Sequence, residues 1–424
     1  MIQTILVFLL VFGIIVIVHE FGHFYFAKRA GILVREFSVG FGPKLFYHRK
    51  GETTYTVRML PVGGYVRMAG YEEEADLRAG MPVSLYLNDQ NEVEKIDIQN
   101  KVQDVNSLPI EVTSFDLEDS MFISGRVDGS TEETQTYTVS STALLIEQDG
   151  TILQVAPRNR QFQSASLINR ILTNFAGPLN NFILSIVAFS ILGFLQGGVM
   201  SDEPVIGQVE ESSPAAEAGL ETGDRILSIE ETEVDSWIQM LTIINESPNE
   251  SLQVTVQKSD ESTVEKSITP ETFETEQGTE VGRIGIVNDI DRSFFGKLSY
   301  GFTRTWDIIT QIFTILGSFF TGGFSLDKLG GPVAIYATSE TVAQSGLIGI
   351  ISFIGLLSVN LGIMNLLPIP ALDGGKLLLN IIEGVRRKPL SEEKEGIITL
   401  VGVGFLLVLM LAVTWNDIQT FFLN

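Results

Sequence analysis

Four long hydrophobic segments interrupt an otherwise polar chain of 424 residues. Each is long and apolar enough to cross a hydrocarbon core of about 30 Å as a helix. The predicted membrane-spanning helices are residues 5–27, 171–195, 347–367 and 397–413. A fifth apolar segment, 306–319, is shorter and contains Asp307 and Gln311, which is more typical of an amphipathic helix resting on the outer face of the membrane. A fifth crossing is the alternative, and it would break the charge pattern of the loops.

The charges beside these segments predict the orientation of the chain. Lys and Arg follow the first segment, precede the second and lie between the third and fourth, whereas acidic residues follow the second and the fourth. Basic loops stay on the cytoplasmic side, so residues 28–170 and 369–395 are predicted to be cytoplasmic and both termini extracytoplasmic. The first segment is not a cleavable signal peptide, because no basic residue precedes it.

The amino-acid composition argues against several classes of function. The net charge of −24 argues against nucleic acid as a partner, because phosphate binding needs a basic face. It also argues against a soluble domain that binds anionic lipid. The chain contains no cysteine, so the ligands of any metal site must be His, Asp or Glu.

The first hydrophobic segment contains a candidate metal site. Two of the three histidines, His19 and His23, stand four residues apart in His-Glu-Phe-Gly-His, and therefore lie on one face of a helix. This spacing is typical of two zinc ligands with Glu20 as the general base. From Ile5 to His19 a helix rises about 21 Å, which places the site inside the bilayer near its cytoplasmic edge. Structural histidines hydrogen-bonded within a helix bundle are the alternative.

The end of the third segment offers a third ligand, Asp373. Two prolines break the helix ahead of it, and Gly374 and Gly375 allow a sharp turn behind it. The charge pattern places Asp373 on the same side of the membrane as His23. An ordinary Asp-Gly-Gly turn is the alternative for this segment taken alone.

The second segment begins Phe-Ala-Gly-Pro-Leu-Asn180-Asn181, which brings polar amides into the membrane from the cytoplasmic side. An amide there could hold a substrate carbonyl or a developing oxyanion. Interhelical hydrogen bonding is the alternative for either Asn.

These three motifs together resemble the site-2 protease family of intramembrane zinc metalloproteases, in its bacterial, PDZ-containing branch. The motifs are H-E-F-G-H, A-G-P-x-x-N and N-x-x-P-x-P-x-x-D-G-G, in that order along nearly the whole chain. The resemblance implies a multi-pass protein of the bacterial plasma membrane that binds Zn²⁺ and cleaves anti-sigma factors or signal-peptide remnants. By motif position it implies these roles: zinc ligation by His19, His23 and Asp373, proton transfer by Glu20, and substrate binding by Asn181 and Asn365. Lys376 is a departure, because many relatives have His after the Asp-Gly-Gly turn.

Two loop regions have predicted roles in substrate handling. Residues 53–68 are rich in β-branched and aromatic residues around Gly63-Gly64, which predicts a hairpin turning at the glycines. The resemblance implies that this β-element dips into the membrane and binds an extended substrate by strand addition, and a plain cytoplasmic hairpin is the alternative. Residues 202–290 resemble one bacterial PDZ domain through Ser213-Pro-Ala-Ala-Glu-Ala-Gly-Leu-Glu-Thr-Gly-Asp224. Such a domain could dock the new end of a trimmed substrate or exclude bulky substrates.

The predicted fold is a polytopic α-helical membrane protein with four transmembrane helices, a membrane-associated β-hairpin, a cytoplasmic β-rich insertion and one extracytoplasmic PDZ domain. The predicted segments are 1–27 (helix 1), 28–71 (β-element), 72–157 (acidic β-rich insertion), 158–197 (helix 2), 202–290 (PDZ domain), 291–343 (interfacial helix and linker), 344–375 (helix 3), 376–395 (basic cytoplasmic loop) and 396–415 (helix 4). The predicted function is a zinc metalloendopeptidase that acts on single-span membrane proteins already trimmed by another protease. Its expected partners are these substrates or remnant signal peptides and the lipid bilayer. The rival interpretations are a PDZ scaffold with an inactive metal site and an ion transporter.

Overall fold

The computed structural model describes residues 2–70, 77–99, 107–127, 134–148, 150–274, 280–322 and 330–420. The chain forms two compact units. One unit combines Met1–Ala188 with Thr305–Asn424, and the other is Phe189–Arg304.

Within the described residues, four helices are long and apolar enough to cross a membrane, which confirms the predicted number. The candidate spans are residues Gln3–Arg29, Leu167–Leu195, Gly346–Leu366 and Glu393–Ile418. The helices of the whole described chain are α1 (Ile2–Arg29), α2 (Leu167–Leu195), α3 (Pro214–Glu217), α4 (Trp237–Asn245), α5 (Phe294–Phe320), α6 (Pro332–Gln344), α7 (Gly346–Leu366), α8 (Asp373–Arg386) and α9 (Glu392–Ile418). The first, second and fourth helices run past the predicted apolar limits, because charged residues at a helix end can remain helical while facing water.

Helices α1, α6 and α7 share an apolar core to which α2 also contributes. Buried side chains include Val11, Ile15, Ala188 and Phe353. Helix α2 begins after Ser166, whose hydroxyl accepts a hydrogen bond from the Asn169 backbone at 3.3 Å. The fifth apolar segment lies within α5, which does not meet the apolarity of a spanning helix. Its placement on the outer face stays a prediction.

The segment 376–395, predicted as a loop, is mostly helical, and that prediction was wrong. Helix α8 runs from Asp373 to Arg386, and α9 begins at Glu392. The sequence of α8 places apolar residues on one face and polar residues on the other, a helical period that the basic composition of the segment obscured.

The β-element is a hairpin of β1 (Val34–Lys50) and β2 (Thr53–Met68). Its turn lies at Gly51 and Glu52, so the predicted turn at Gly63-Gly64 was wrong. Both glycines lie inside β2, where Gly63 has a φ of +87° and marks a bend between two irregularly paired halves of the strand. Large side chains along the middle of both strands are exposed: Phe41, Leu45, Phe46, Tyr47, Met59 and Leu60.

The acidic insertion is β-rich, as predicted. It forms one six-stranded sheet in the order β4-β3-β5-β6-β7-β8. Its strands are β3 (Pro82–Leu87), β4 (Val93–Asp97), β5 (Leu108–Asp116), β6 (Phe122–Val127), β7 (Thr134–Ile146) and β8 (Ile152–Gln154). Leu85, Ile96 and Ile123 are fully buried in its core.

The second unit contains a four-stranded sheet in the order β12-β11-β13-β14, three strand pairs, and the helices α3 and α4. Its strands are β9 (Val199–Met200), β10 (Ile206–Val209), β11 (Arg225–Ile229), β12 (Thr232–Glu233), β13 (Leu252–Gln257), β14 (Thr263–Ile268), β15 (Glu271–Glu274), β16 (Glu280–Arg283), β17 (Ile286–Asn288) and β18 (Ile290–Asp291). The hydroxyls of Ser213 and Ser236 cap α3 and α4. Met240 and Ile226 lie in its core.

Candidate active site

The two histidines of α1 face the same point in the structure. Their Nε2 atoms are 3.3 Å apart, and each residue is only 7% exposed. The four-residue spacing on a continuous helix accounts for this, because side chains at i and i+4 lie one above the other. The predicted pairing of His19 and His23 is therefore present.

Asp373 completes a triangle with these nitrogens. Its Oδ2 atom lies 3.3 Å from Nε2 of His19 and 3.3 Å from Nε2 of His23. A tetrahedral zinc ion with bonds of about 2.0 Å holds its ligand atoms about 3.3 Å apart, so the three atoms fit that ion. Within the described residues they form a cluster that could hold a metal.

The local backbone explains how Asp373 reaches the histidines. Helix α7 ends at Leu366, and α8 restarts at Asp373 itself after a short turn in which Ala371 has a φ of +79°. A Cβ added to Gly374 would overlap the carbonyl oxygen of Leu366, and one added to Gly375 would overlap that of Ile369. The glycine pair thus permits a close approach of the start of α8 to the end of α7 and to the connecting turn, whereas the sequence predicted only a sharp turn behind Asp373.

Helix α2 supports the histidines from the side opposite their ligating nitrogens. The Thr173 carbonyl oxygen lies 2.8 Å from Nδ1 of His23, and Nδ2 of Asn181 lies 3.1 Å from Nδ1 of His19. When Nε2 binds a metal, the proton stays on Nδ1, and the neighbouring group must accept it. With a metal on Nε2, the amide of Asn181 would therefore present Oδ1 to His19, and this contact would satisfy an oxygen that has no hydrogen-bond partner among the described residues.

The structure gives Asn181 a contact that the sequence did not predict. Its side chain is fully buried against His19, where it can orient the imidazole, and its role in binding a substrate carbonyl stays a prediction. Asn180 donates a hydrogen bond to the Val18 carbonyl at 3.0 Å, which is the interhelical contact that the sequence left as an alternative. Thr173 was missed, because a backbone acceptor has no signal in the sequence.

The predicted base lies beside the predicted substrate strand. A Cβ added to Gly64 would stand 3.1 Å from Cγ of Glu20, so the two residues are in contact range. Glu20 also interacts electrostatically with both histidines, Asp373 and Lys376. Lys376, the departure from the family pattern, thus places its positive charge near the base. Gly63 packs on the Phe41 ring. Asn365 lies on the last turn of α7 and makes no side-chain hydrogen bond within the described residues, so its substrate-binding role stays a prediction.

The comparisons with known proteins agree with this geometry. The model of Peptidase family M50 matches residues 7–409. This chain belongs to peptidase family M50. It is 52% identical to "Probable protease eep" of Enterococcus faecalis, over 99% of this chain and 100% of that protein. It is 45% identical to "Regulator of sigma-W protease RasP" of Bacillus subtilis, over the full length of both.

Membership of family M50 confirms the resemblance to site-2 proteases, and this multi-pass membrane chain is a zinc metalloprotease. Zinc is thereby confirmed as the predicted cofactor. The scaffold and transporter interpretations are both disfavoured. Among solved structures, the PDZ domain of an SdrC-like protein from Listeria monocytogenes matches 21% of this chain and 90% of its own, with 21% identity and a TM-score of 0.18.

Proposed function

We propose that this protein is an intramembrane endopeptidase that cleaves single-span membrane proteins within or near the bilayer, after another protease has trimmed them outside. The observation that supports this proposal most directly is the triangle of His19, His23 and Asp373. Its two histidines lie on the candidate spanning helix α1, and Asp373 lies at the start of α8. The name of the Bacillus relative, which refers to regulation of sigma-W, supports an anti-sigma factor as one substrate class. Remnant signal peptides are the other class.

The three ligands would hold zinc, and the bound ion would polarise the scissile carbonyl and make water a usable nucleophile near neutral pH. Glu20 accepts the proton of the attacking water and delivers it to the leaving amine nitrogen. The Thr173 carbonyl at Nδ1 of His23 would hold that ring in the tautomer that leaves Nε2 available. The Asn181 amide would do the same for His19 once Oδ1, and not Nδ2, faces Nδ1.

The hairpin would supply the backbone hydrogen bonds that an unwound substrate loses. Glu36 and Val39 each pair with two different segments of β2, so this part of β1 is central in the sheet. The Gly64–Met68 half of β2 pairs only with β1 among the described strands, which leaves its other edge for an added strand. Gly64 contacts Glu20, so a substrate paired there would pass the general base.

The test is co-expression with a tagged single-span substrate, supplied in a full-length form and in a form trimmed on its extracytoplasmic side. Wild type is expected to cut the trimmed form and spare the full-length form, while Glu20→Gln cuts neither and still binds zinc. Glu94→Gln, at an exposed position of β4, is the matched control and should behave as wild type. Equal survival of the trimmed substrate with wild type and Glu20→Gln would contradict the proposal.

A further inference from the structure

Helix α8 carries one candidate metal ligand at its first residue, and the next two residues, Gly374 and Gly375, pack through backbone atoms. The close approaches there involve Gly374 and Gly375, which have no side chains to lock the helix against rotation. Farther along, one side of α8 is exposed at Leu378, Ile381 and Val385. A contact farther along the helix can therefore contribute to the direction of α8, and with it to the position of Asp373.

The opposite end of α8 is attached to α2 by an ion pair. Arg170 donates two hydrogen bonds to Glu383, from Nη1 to Oε2 at 2.9 Å and from Nη2 to Oε1 at 2.5 Å. The side chains are 12% and 19% exposed, so water screens the pair only weakly. Next to it, a Cβ added to Gly384 would stand 3.1 Å from Leu167, which shows that the two helices also pack closely.

The same turn of α2 holds the other ligand-bearing helix. The Thr173 carbonyl accepts from Nδ1 of His23, and Thr173 follows Arg170 by three residues. Residues three apart lie on the same side of a helix. One turn of α2 therefore contacts His23 on α1 and Glu383 on α8.

We propose that the Arg170–Glu383 ion pair is a positioning contact, which sets Asp373 against the two histidines by fixing α8 to the turn of α2 that holds His23. The proposal rests on the zinc site of the proposed function, but not on which substrate is cleaved. Neither residue is one of the three candidate ligands. Both act through the geometry of the ligand triangle.

The length of α8 sets the size of the expected effect. Glu383 follows Asp373 by ten residues, so the two residues are about 15 Å apart along the axis of α8. A shift of about 3 Å at Glu383 would tilt the helix by on the order of 10°, which is at the limit that a metal site tolerates. Loss of the pair should therefore weaken zinc binding by about 10- to 100-fold, the range found when supporting contacts of a metal ligand are removed, and should not abolish it.

The test compares purified full-length Glu383→Gln, Arg170→Lys, Arg170→Glu and the exchanged pair Arg170→Glu/Glu383→Arg with wild type. Zinc affinity is measured by competition with a chelator, and ligand geometry by the visible absorption of the Co²⁺-loaded protein. Glu383→Gln and Arg170→Glu are expected to lose zinc affinity by the stated factor, to show altered Co²⁺ absorption, and to lower kcat with KM unchanged. The exchanged pair should recover most of the affinity, and Arg170→Lys part of it.

The matched control is the bidentate pair of Arg160 and Glu52, which joins the turn of the hairpin to the segment ahead of α2. Its exchange, Arg160→Glu/Glu52→Arg, should leave the Co²⁺ absorption unchanged. Wild-type zinc affinity in folded Glu383→Gln, or no recovery in a folded exchanged pair, would overturn the proposal. An equal change in Co²⁺ absorption on exchange of the control pair would also overturn the proposal. If zinc affinity depends on the pair but wild type cuts no substrate, the positioning contact stands and the proposed function fails.

Discussion

At the scale of single residues, the metal centre depends on glycines, which leave space around it, as much as on its ligands. A Cβ added to Gly22 would overlap the carbonyl oxygen of Ala176, and one added to Gly177 would overlap Nε2 of His23. The first glycine lets α1 and α2 approach each other, and the second leaves room for the histidine ring. The A-G-P motif therefore contributes space to the site, and Pro178 adds a local break by lacking a backbone N–H.

Gly177→Ala is expected to disrupt the ligand triangle while leaving the fold intact. The new methyl group would occupy the position of His23 Nε2 and crowd Cε1 of His19, so one ring must move by about 1 Å or more. A misplacement of this size should lower kcat/KM by about 100-fold and reduce bound zinc. The assay is substrate cleavage together with metal analysis. Gly404→Ala, where nothing lies within 4 Å of the added Cβ, is the control, and wild-type zinc content in Gly177→Ala would contradict this account.

At the scale of elements, the insertion is attached to the hairpin that would present the substrate. Arg67 on β2 donates two hydrogen bonds to Glu147 after β7, at 3.1 and 2.9 Å. Lys44 also donates to Thr151, and the Thr54 hydroxyl donates to the Ile152 carbonyl at 3.1 Å. These contacts tie the acidic insertion to basic and polar positions of the hairpin, and they point to a supporting role for a domain whose sequence suggests none.

The hairpin has a second support, a buried polar network inside its own sheet. Arg58 donates to Glu36 at 2.9 Å and to Ser38 at 3.1 Å, and Tyr65 donates to Glu36 at 2.9 Å. Burial, together with the carboxylate of Glu36, raises the pKa of Tyr65 to about 12. The phenol therefore keeps its proton and remains a donor throughout the physiological pH range.

Breaking the Arg67–Glu147 pair is expected to impair substrate binding more than chemistry. Glu147→Ala frees the Gly64–Met68 half of β2, so a substrate must order that strand as it binds, and KM should rise by about tenfold with zinc content unchanged. Steady-state cleavage of the trimmed substrate measures the change. Asp119→Ala, which removes an exposed partner of Arg158, should have no effect. An unchanged KM, or a loss of zinc, would rule out this supporting role.

The helices and strands also show which features of the fold could be predicted from the sequence. Apolar length predicted the spanning helices, and motif spacing predicted His19 and His23, because both signals are local. Asp373 was predicted from the prolines and glycines around it, from the charge pattern of the loops and from the family resemblance. The turn at Gly63-Gly64 was wrong since a glycine pair marks bends as well as turns, and the pairing of β1 with two segments of β2 is not local. The contact of Asn181 with His19 joins residues 162 positions apart, and only the packing of α1 on α2 determines it.

At the scale of the whole molecule, the orientation in the membrane decides which side supplies the substrate. The charge pattern predicts that the termini and residues 202–290 are outside, and that the insertion and α8 are inside. Asp417, near the end of α9, is buried and accepts from the Gly331 and Ala334 backbone N–H groups at 3.1 and 3.0 Å. An acidic residue after the last apolar stretch therefore has a helix-capping role at the start of α6, in addition to its place in the charge pattern.

Single-cysteine labelling tests this orientation without background, because the natural chain contains no cysteine. The substitutions are Glu265→Cys on β14, Glu94→Cys on β4 and Lys388→Cys between α8 and α9, all at exposed positions. A membrane-impermeant maleimide should label Glu265→Cys in intact cells, and should label the other two only after the membrane is permeabilised. Each variant must retain cleavage of the trimmed substrate, so that labelling reports the functional protein. Labelling of Glu94→Cys in intact cells would show that the orientation is opposite to the predicted one. The metal centre would then lie near the outer face, on the side from which the proposed prior trimming occurs.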